Sequence, residues 1–198
     1  MEPLGFESVR YITPEEFHGF VEERERLGDS SHYELLNGRV VMNPPAGWPH
    51  GAVDSAIQVL LGTWVPERRL GLVLGSSQGF ELPSGDVVEP DCSFVSHNRL
   101  RSTTPEVGEF LRIAPDLVVE VLSRSNATRD RGEKKGIYER NGVREYWLVD
   151  PRANTLTAFT LKDGRYGPAT PLNEGDRYRS PLLGLEFDVK TLFPELPR

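Results

Sequence analysis

Apolar and polar positions along the first third of the chain predict a helix followed by a hairpin. Thr13-Pro14-Glu15-Glu16 combines an N-cap, a proline at the first helical position and acids in the first turn, so a helix begins there and ends at Gly28. Residues 33–42 form two strand-like runs around Asn37-Gly38, a pair typical of a type I′ turn.

The next stretch predicts a helix, two strands and a loop. Apolar residues then recur at helical spacing: Val53, Ile57, Leu60, Leu61 and Trp64. Residues 72–82 and 87–95 are predicted as strands joined by a turn at 83–86. Residues 96–115 are predicted as a loop.

The second half predicts a parallel unit and then more strands. Residues 116–122 form a near-continuous apolar strand, 127–141 a helix and 145–149 another buried strand, which together suit a right-handed βαβ crossover. Residues 154–162 and 177–189 are further strands. We therefore predict an α/β (α+β) fold with a mixed sheet and helices on both faces.

The whole chain is expected to form a single domain. It divides into an N-terminal helical segment (1–31), a core (32–151) and a β-rich C-terminal part (152–198). No apolar run is long enough to span a membrane, the first residues do not resemble a secretory signal, and Cys92 is the single cysteine. These features predict a cytoplasmic protein without a disulfide.

Charge modifies this picture in one region. The net charge of −7 argues mildly against a nucleic-acid-binding protein. Residues 122–144, however, hold seven basic residues against three acidic ones. This segment is either a local basic patch beside a site or a solvated helix with many salt bridges.

Two acids occupy strand positions and are the first candidates for chemistry. Asp91 opens the apolar run 92–95, and Glu120 lies inside the apolar run 117–122. A carboxylate in a buried strand is costly unless it is neutralised. Asp91 could also be simply the polar first residue of a strand. Glu120 could instead form a buried ion pair with Arg144 or Lys134.

Three further residues could complete a site. Lys134 shares a helix face with Asp130 and Tyr138, whereas Lys135 points elsewhere; the alternative is a surface ion pair. Glu34 lies in an apolar strand and is either a metal or water ligand or a solvent-facing residue. His50 precedes a helix, where it either meets a phosphate or remains solvated.

The layout of two strand carboxylates with a nearby lysine predicts a metal-dependent phosphodiesterase acting on nucleic acid. Oxygen ligands without a cysteine or histidine cluster favour Mg²⁺ or Mn²⁺ over Zn²⁺. The Val121 carbonyl is a further candidate ligand, Lys134 would orient water or stabilise the phosphate, and Glu34 is a candidate outer-shell acid. Candidate substrate contacts are His50, Arg131 and Tyr138.

The motifs together resemble the Uma2 family of endonucleases, a branch of the PD-(D/E)XK nuclease superfamily with a restriction-endonuclease-like fold. The matching segments are residues 33–40, Pro44 with His50, Pro90-Asp91, residues 115–123, residues 130–134 with Tyr138, and residues 142–151. The resemblance implies that Asp91 and Glu120 bind the metal. The usual lysine position holds Leu122, and a lysine on the following helix, Lys134, takes its place.

The sequence is also compatible with two other functions. One is a catalytically inactive nuclease fold that serves in binding or assembly, and the other is a hydrolase of a small phosphorylated molecule. We also expect a homodimer, because DNA has two strands and because apolar C-terminal residues would need covering. Those residues are Leu182, Leu183, Leu185 and Phe187.

Overall fold

The computed structural model describes residues 7–8, 10–104 and 106–195. In the first half the elements are α1 (Pro14–Arg26), β1 (His32–Leu36), β2 (Arg39–Asn43), α2 (His50–Glu67), β3 (Gly71–Gly75), β4 (Phe80–Glu81), β5 (Val87–Val88), β6 (Cys92–Ser96) and α3 (His97–Leu100). In the second half they are β7 (Leu117–Val121), α4 (Ala127–Arg129), a π-helical turn (Asp130–Lys134), α5 (Lys135–Arg140), β8 (Glu145–Asp150), β9 (Thr155–Lys162), β10 (Arg165–Tyr166), β11 (Leu172–Asn173), β12 (Arg177–Arg179), β13 (Glu186–Asp188) and a 3₁₀ helix (Val189–Leu192).

A seven-stranded mixed sheet lies at the centre of the fold. Its order is β10-β9-β8-β7-β6-β3, and β11 pairs with β9. Strands β7 and β8 run parallel, and the chain between them carries the α4–α5 helical segment. The predicted parallel crossover is therefore present, and it places Glu120 on a central strand.

A smaller four-stranded sheet, ordered β2-β1-β5-β4, holds the predicted hairpin. Asn37 and Gly38 form its turn with φ values of 50° and 77°. These are the left-handed values that a type I′ turn requires and that asparagine and glycine tolerate best. Glu34 reaches the site from this hairpin.

The predicted strands 72–82 and 87–95 are each divided between the two sheets. β3 and β6 pair in the central sheet, whereas β4 and β5 pair in the smaller one. The chain leaves the first sheet after Gly75 and passes so close to Phe110 that a Cβ on Gly79 would lie 2.2 Å from its ring. The prediction of two long strands is wrong, because residues 75–79 and 89–91 interrupt the apolar runs at the points where the chain changes sheet.

Helices cover both faces of the central sheet, as predicted. Ile57 and Leu61 of α2 pack on one face, and Ile137 and Tyr138 of α5 pack on the other. The helix termini also follow the sequence signals: Thr13 caps α1 in a capping box with Glu16. None of the helices in the described ranges has the length and apolar character needed to cross a bilayer.

The C-terminal apolar residues are buried, so the expectation that they form an exposed surface is wrong. Leu183, Leu185 and Phe187 are 6%, 2% and 5% exposed and belong to the core on the α2 face, against which Leu182 also packs. The β12–β13 hairpin folds back over this face. Sequence alone does not identify the partner of an apolar strand, and here that partner lies within the same chain.

Candidate active site

A cavity of about 660 Å³ opens where the β1–β2 hairpin faces β6, β7 and the π-helical turn. Its walls contain eight ionisable side chains that come from separate parts of the chain. They are His32, His50, Glu89, Asp91, Glu120, Arg129, Asp130 and Lys134. Asp91 and Glu120 thus line one cavity, and the sequence-based expectation that they converge agrees with this placement.

Glu120 is neutralised by Lys134, one of the two partners proposed from the sequence. The Lys134 ammonium lies 2.6 Å from Glu120 Oε1, and both side chains are buried. The hydroxyl of Tyr138 donates to the same oxygen at 2.6 Å. The other proposed partner, Arg144, lies instead 3.6 Å from Asp116.

Glu34 is the second carboxylate on the lysine. Lys134 donates to Glu34 Oε1 at 2.9 Å, and the backbone N–H of Glu89 donates to that oxygen at the same distance. The side chain of Asn43 donates to Glu34 Oε2 at 2.8 Å. Glu34 is 1% exposed, so the alternative of a solvent-facing strand residue is wrong.

The electrostatics of this group favour a charged lysine. Burial alone would lower the pKa of Lys134, but the carboxylates of Glu120, Glu34 and Asp130 raise it well above its ordinary value. Burial raises the pKa of the Glu120 carboxyl, and Lys134 opposes that change. Lys134 is therefore an ammonium ion at neutral pH.

Asp91 is held by the strand that carries Glu120. Its Oδ2 atom accepts a 2.7 Å hydrogen bond from the backbone N–H of Val121 and lies 3.3 Å from His50 Nε2. Burial would lower the pKa of His50, but the hydrogen bond and charge of Asp91 raise it. His50, the first residue of α2, thus contacts an acid of the site.

Each of the two strand acids has one oxygen committed to the protein. Within the described ranges, Asp91 bonds only through Oδ2 and Glu120 only through Oε1. Asp91 Oδ1 and Glu120 Oε2 have no hydrogen-bond donor among those residues. Both acids therefore retain an oxygen that can accept an external ligand at the cavity.

Asp130, like Glu89, is an acid of the cavity wall that was not assigned a role from the sequence. It is 1% exposed, and its buried Oδ2 atom has no hydrogen-bond partner in the described part of the chain. Burial raises its pKa to about 7, and Lys134 opposes this effect. The available signal was its spacing of four residues from Lys134, which placed it on the same helix face.

These residues fit a divalent cation. Three buried carboxyl groups, Glu34, Glu120 and Asp130, surround one buried amine, so the site carries more negative than positive groups. No three acidic, histidine or cysteine side chains of residues 7–8, 10–104 and 106–195 converge into a ready-made metal cage. Mg²⁺ commonly uses one or two carboxylates and keeps several waters, so such a cage is not required.

Two residues predicted to contact substrate lie away from the cavity wall. Arg131 forms a 2.9 Å ion pair with Asp150, and Tyr138 is fully buried behind Glu120. Lys135 points elsewhere, as predicted, with its amine 4.5 Å from the centre of the Phe159 ring. His50 does line the cavity.

The basic segment 122–144 is partly a helix with many salt bridges and partly a basic patch beside the site, the two alternatives that its sequence left open. Arg131, Arg140 and Arg144 are in ion pairs with aspartates, as expected of a helix with many salt bridges. Arg124 and Arg129 form no ion pair with a described residue, and Arg129 lines the cavity. Part of the segment is therefore available to an anionic ligand.

The mixed sheet, its parallel crossover and the acids beside a buried lysine define a protein with a nuclease fold. The model of the Uma2 family, described as "Putative restriction endonuclease", matches residues 15–190. The chain therefore belongs to the Uma2 family.

A solved structure shares this fold. It is a crystal structure of "a putative nuclease belonging to DUF820 from Anabaena variabilis ATCC 29413", with a TM-score of 0.73 and 20% sequence identity over 92% of this chain and 97% of that chain. At this identity the similarity shows the fold alone. No curated protein matches the chain.

Proposed function

We propose that this protein is an endonuclease that uses a divalent metal to hydrolyse phosphodiester bonds of nucleic acid, with DNA as its substrate. Membership of the Uma2 family supports a nuclease. The observation that carries the proposal is that Asp91 and Glu120 each keep one oxygen free of protein donors at a common cavity, beside a buried lysine.

Asp91 and Glu120, with the Val121 carbonyl, are the proposed ligands of Mg²⁺ or Mn²⁺, and Asp130 is an additional one. Their oxygen atoms match the ligand preference of these ions. When bound, the metal would polarise a phosphoryl oxygen and lower the pKa of a water. The Val121 N–H fixes Asp91 Oδ2, so the oxygen left for a ligand is Oδ1.

Lys134 supplies positive charge to the reacting phosphate. Because its pKa is raised, it remains protonated and acts as a hydrogen-bond donor, not as a general base. Glu34 also accepts a hydrogen bond from the Lys134 amine and so helps to position it. Tyr138 positions Glu120 and does not reach the substrate, whereas His50 and Arg129 are placed to contact phosphate.

An activity assay with a direct metal-binding measurement tests this function. Supercoiled plasmid and single-stranded DNA are incubated with Mg²⁺, Mn²⁺ or EDTA, and Mn²⁺ binding is measured by calorimetry. We expect metal-dependent cutting by the natural protein, and loss of both cutting and Mn²⁺ binding in Asp91→Asn and Glu120→Gln. Glu186→Gln, an exposed carboxylate on β13, is the matched control.

The outcomes separate this proposal from its alternatives. Cutting that persists in EDTA or in Asp91→Asn contradicts it. Absence of cutting under every condition favours an inactive nuclease fold that serves in binding. A hydrolase of a small phosphorylated molecule would bind its substrate with a weak dependence on salt, because a nucleic acid releases many more counterions on binding.

A homodimer remains part of the proposal, now without support from the C-terminal apolar residues. The remaining reason is that cutting both strands of a duplex suits a two-fold assembly. Light scattering at micromolar concentration tests it, and a monomer there contradicts it.

A further inference from the structure

A second cavity of about 400 Å³ adjoins the candidate active site. The two cavities share six wall residues, so a bound chain can pass from one into the other. The shared residues are Pro44, Pro45, Ala46, His50, Ser123 and Ser125. Any molecule that fills the second cavity therefore lies next to the proposed ligand acids.

An exposed tryptophan distinguishes this second cavity. Trp48 lines it and is 74% exposed, whereas Trp147 is fully buried and Trp64 is covered by Arg68, whose guanidinium carbon lies 3.2 Å from the ring centre. A large apolar ring in water has a hydration cost that burial would relieve. A flat ring at the edge of a site suits a flat ligand.

Arginines beside Trp48 supply positive charge without an acidic partner. Arg124 and Arg152 line the same cavity, are exposed, and form no ion pair with residues in the described ranges. The protein as a whole has a net charge of −7, so this cationic edge differs from the rest of the molecule. The hydroxyls of Ser123 and Ser125 are hydrogen-bonded to each other at 3.0 Å, which leaves one hydroxyl hydrogen of the pair for a phosphate oxygen.

Apolar side chains form the remaining wall. Leu122 and Pro151 line this cavity, and both side chains are apolar. The aromatic ring, the apolar wall and the two arginines are the combination that single-stranded nucleic acid binds: bases stack on the ring and phosphates meet the cations.

We propose that the second cavity binds an unpaired nucleobase, stacked on Trp48, with its neighbouring phosphates on Arg124 and Arg152. The inference rests on the proposed function and narrows its substrate to single strands or to duplexes with unpaired nucleotides beside the cut. In an intact duplex the base faces are covered by neighbouring bases, so they cannot stack on Trp48.

Equilibrium binding with Ca²⁺ in place of Mg²⁺ tests this inference without cutting. Fluorescence anisotropy is measured with a labelled oligothymidylate, the same strand with abasic sites, and a duplex. Trp48→Ala is expected to weaken binding of the single strand by roughly tenfold, the scale of stacking one base. Trp48→Phe should keep most of the affinity.

Tyr11→Ala is the matched control, because Tyr11 is an aromatic residue that is 70% exposed and lines neither cavity. The affinity of Tyr11→Ala for the single strand should equal that of the natural protein. The abasic strand should bind weakly to the natural protein, with no further loss in Trp48→Ala. Melting curves establish that each variant is folded.

Unchanged single-strand affinity in Trp48→Ala overturns the inference, as does an equal loss for the abasic strand or the duplex. The proposed function fails separately. A protein that binds single strands through Trp48 and cuts nothing contradicts the nuclease proposal and leaves this inference intact. If the natural protein cuts DNA and Trp48→Ala binds the single strand normally, the nuclease proposal stands and the base-stacking inference is contradicted.

Discussion

The Lys134 ammonium lies 2.9 Å from Oε1 of Glu34, a carboxylate that stands 100 residues earlier in the chain. This contact joins the β1–β2 hairpin to the helical segment between β7 and β8. Together with the 2.6 Å contact to Glu120, it fixes the amine between the two sheets. The position of the lysine therefore depends on both sheets and not on its helix alone.

Lys134→Ala is expected to reduce cleavage by roughly 10²–10³-fold, the usual effect of removing a group that stabilises transition-state charge. It should also cost about 3–5 kcal/mol of unfolding free energy, because two buried carboxylates lose their cation. Cleavage rates and urea unfolding measure the two effects. If the variant does not fold, Glu34→Gln/Lys134→Ala removes one of those carboxylates and should recover stability while cleavage stays low.

Lys135→Ala is the control for that experiment. Lys135 contacts only the Phe159 ring among the aromatic side chains of the described residues, at 4.5 Å. Its loss should change stability by about 0.5–1 kcal/mol and leave cleavage near the natural rate. Equal loss of cleavage in the two variants would mean that the identity of the lysine has been assigned wrongly.

Glu34→Gln tests whether Glu34 positions the lysine. We expect kcat to fall by roughly 10–100-fold, as for other residues that orient a reactive group, with little change in substrate affinity. The glutamine amide would also face the Asn43 amide, which now donates to Glu34. Steady-state kinetics separates kcat from KM. A variant with lower substrate affinity and unchanged kcat would indicate a direct substrate contact instead.

Tyr138→Phe removes a buried hydroxyl that donates to Glu120 at 2.6 Å. A hydrogen bond to a charged group contributes about 1.5–3 kcal/mol, so stability should fall by that amount. Tyr146→Phe is the comparison, since its hydroxyl donates at 3.0 Å to the neutral backbone carbonyl of Asp130. That variant should lose about 0.5–1.5 kcal/mol. Urea unfolding measures the stability of both variants. A larger loss in Tyr146→Phe than in Tyr138→Phe would contradict the expectation that Tyr138 donates to an ionised Glu120.

Glu145→Gln is expected to destabilise the fold without altering chemistry. Glu145 is fully buried and accepts hydrogen bonds from Trp147, Ser180, Tyr178 and the Leu182 backbone. An amide NH₂ would face some of these donors and leave them unpaired, at a cost of about 1–3 kcal/mol. Urea unfolding and the cleavage rate of the folded variant are measured together. Loss of cleavage at full stability would place Glu145 in the site after all.

Asp29 should contribute to the acid dependence of stability. Hydrogen bonds from the Tyr33 hydroxyl and from Ser31 lower its pKa to about 2. Because the folded pKa lies below the unfolded one, its contribution is present above about pH 4 and is lost as the pH falls towards 2. Melting temperatures of the natural protein and Asp29→Asn should differ at pH 6 and converge near pH 2. A constant difference would show that Asp29 does not titrate in this range.

Local signals in the sequence predicted much of the fold. The Thr13 N-cap, the Asn37-Gly38 turn and a helical crossover between two buried strands depend on neighbouring residues, and all three are present. The single helix predicted over residues 127–141 is instead interrupted by the π-helical turn Asp130–Lys134. The expected placement of Glu120 beside Lys134 also needed only local reasoning. A carboxylate in an apolar strand requires a cation, and the next helix offered one within reach.

Long-range contacts were not predictable in the same way. Segments 72–82 and 87–95 each cross from one sheet to the other at a break in the apolar pattern, and the sequence shows the break but not the change of pairing partner. The partner of Leu185 and Phe187 is the α2 face, over 100 residues earlier. Trp48 lies in a proline-rich loop whose sequence suggests only irregular backbone, so its exposure beside a cavity became visible only in three dimensions.

The loop segment 101–104 separates the chain into two parts, and each part carries some of the proposed site residues. The first part carries Glu34 and Asp91, and the second carries Glu120 and Lys134. Neither fragment could form the proposed metal site by itself, because Asp91 and Glu120 lie on different sides of the division, as do the two ends of the Glu34–Lys134 ion pair. Under the proposed function, a chain divided in this loop would be inactive as separate fragments and active only after the fragments reassemble.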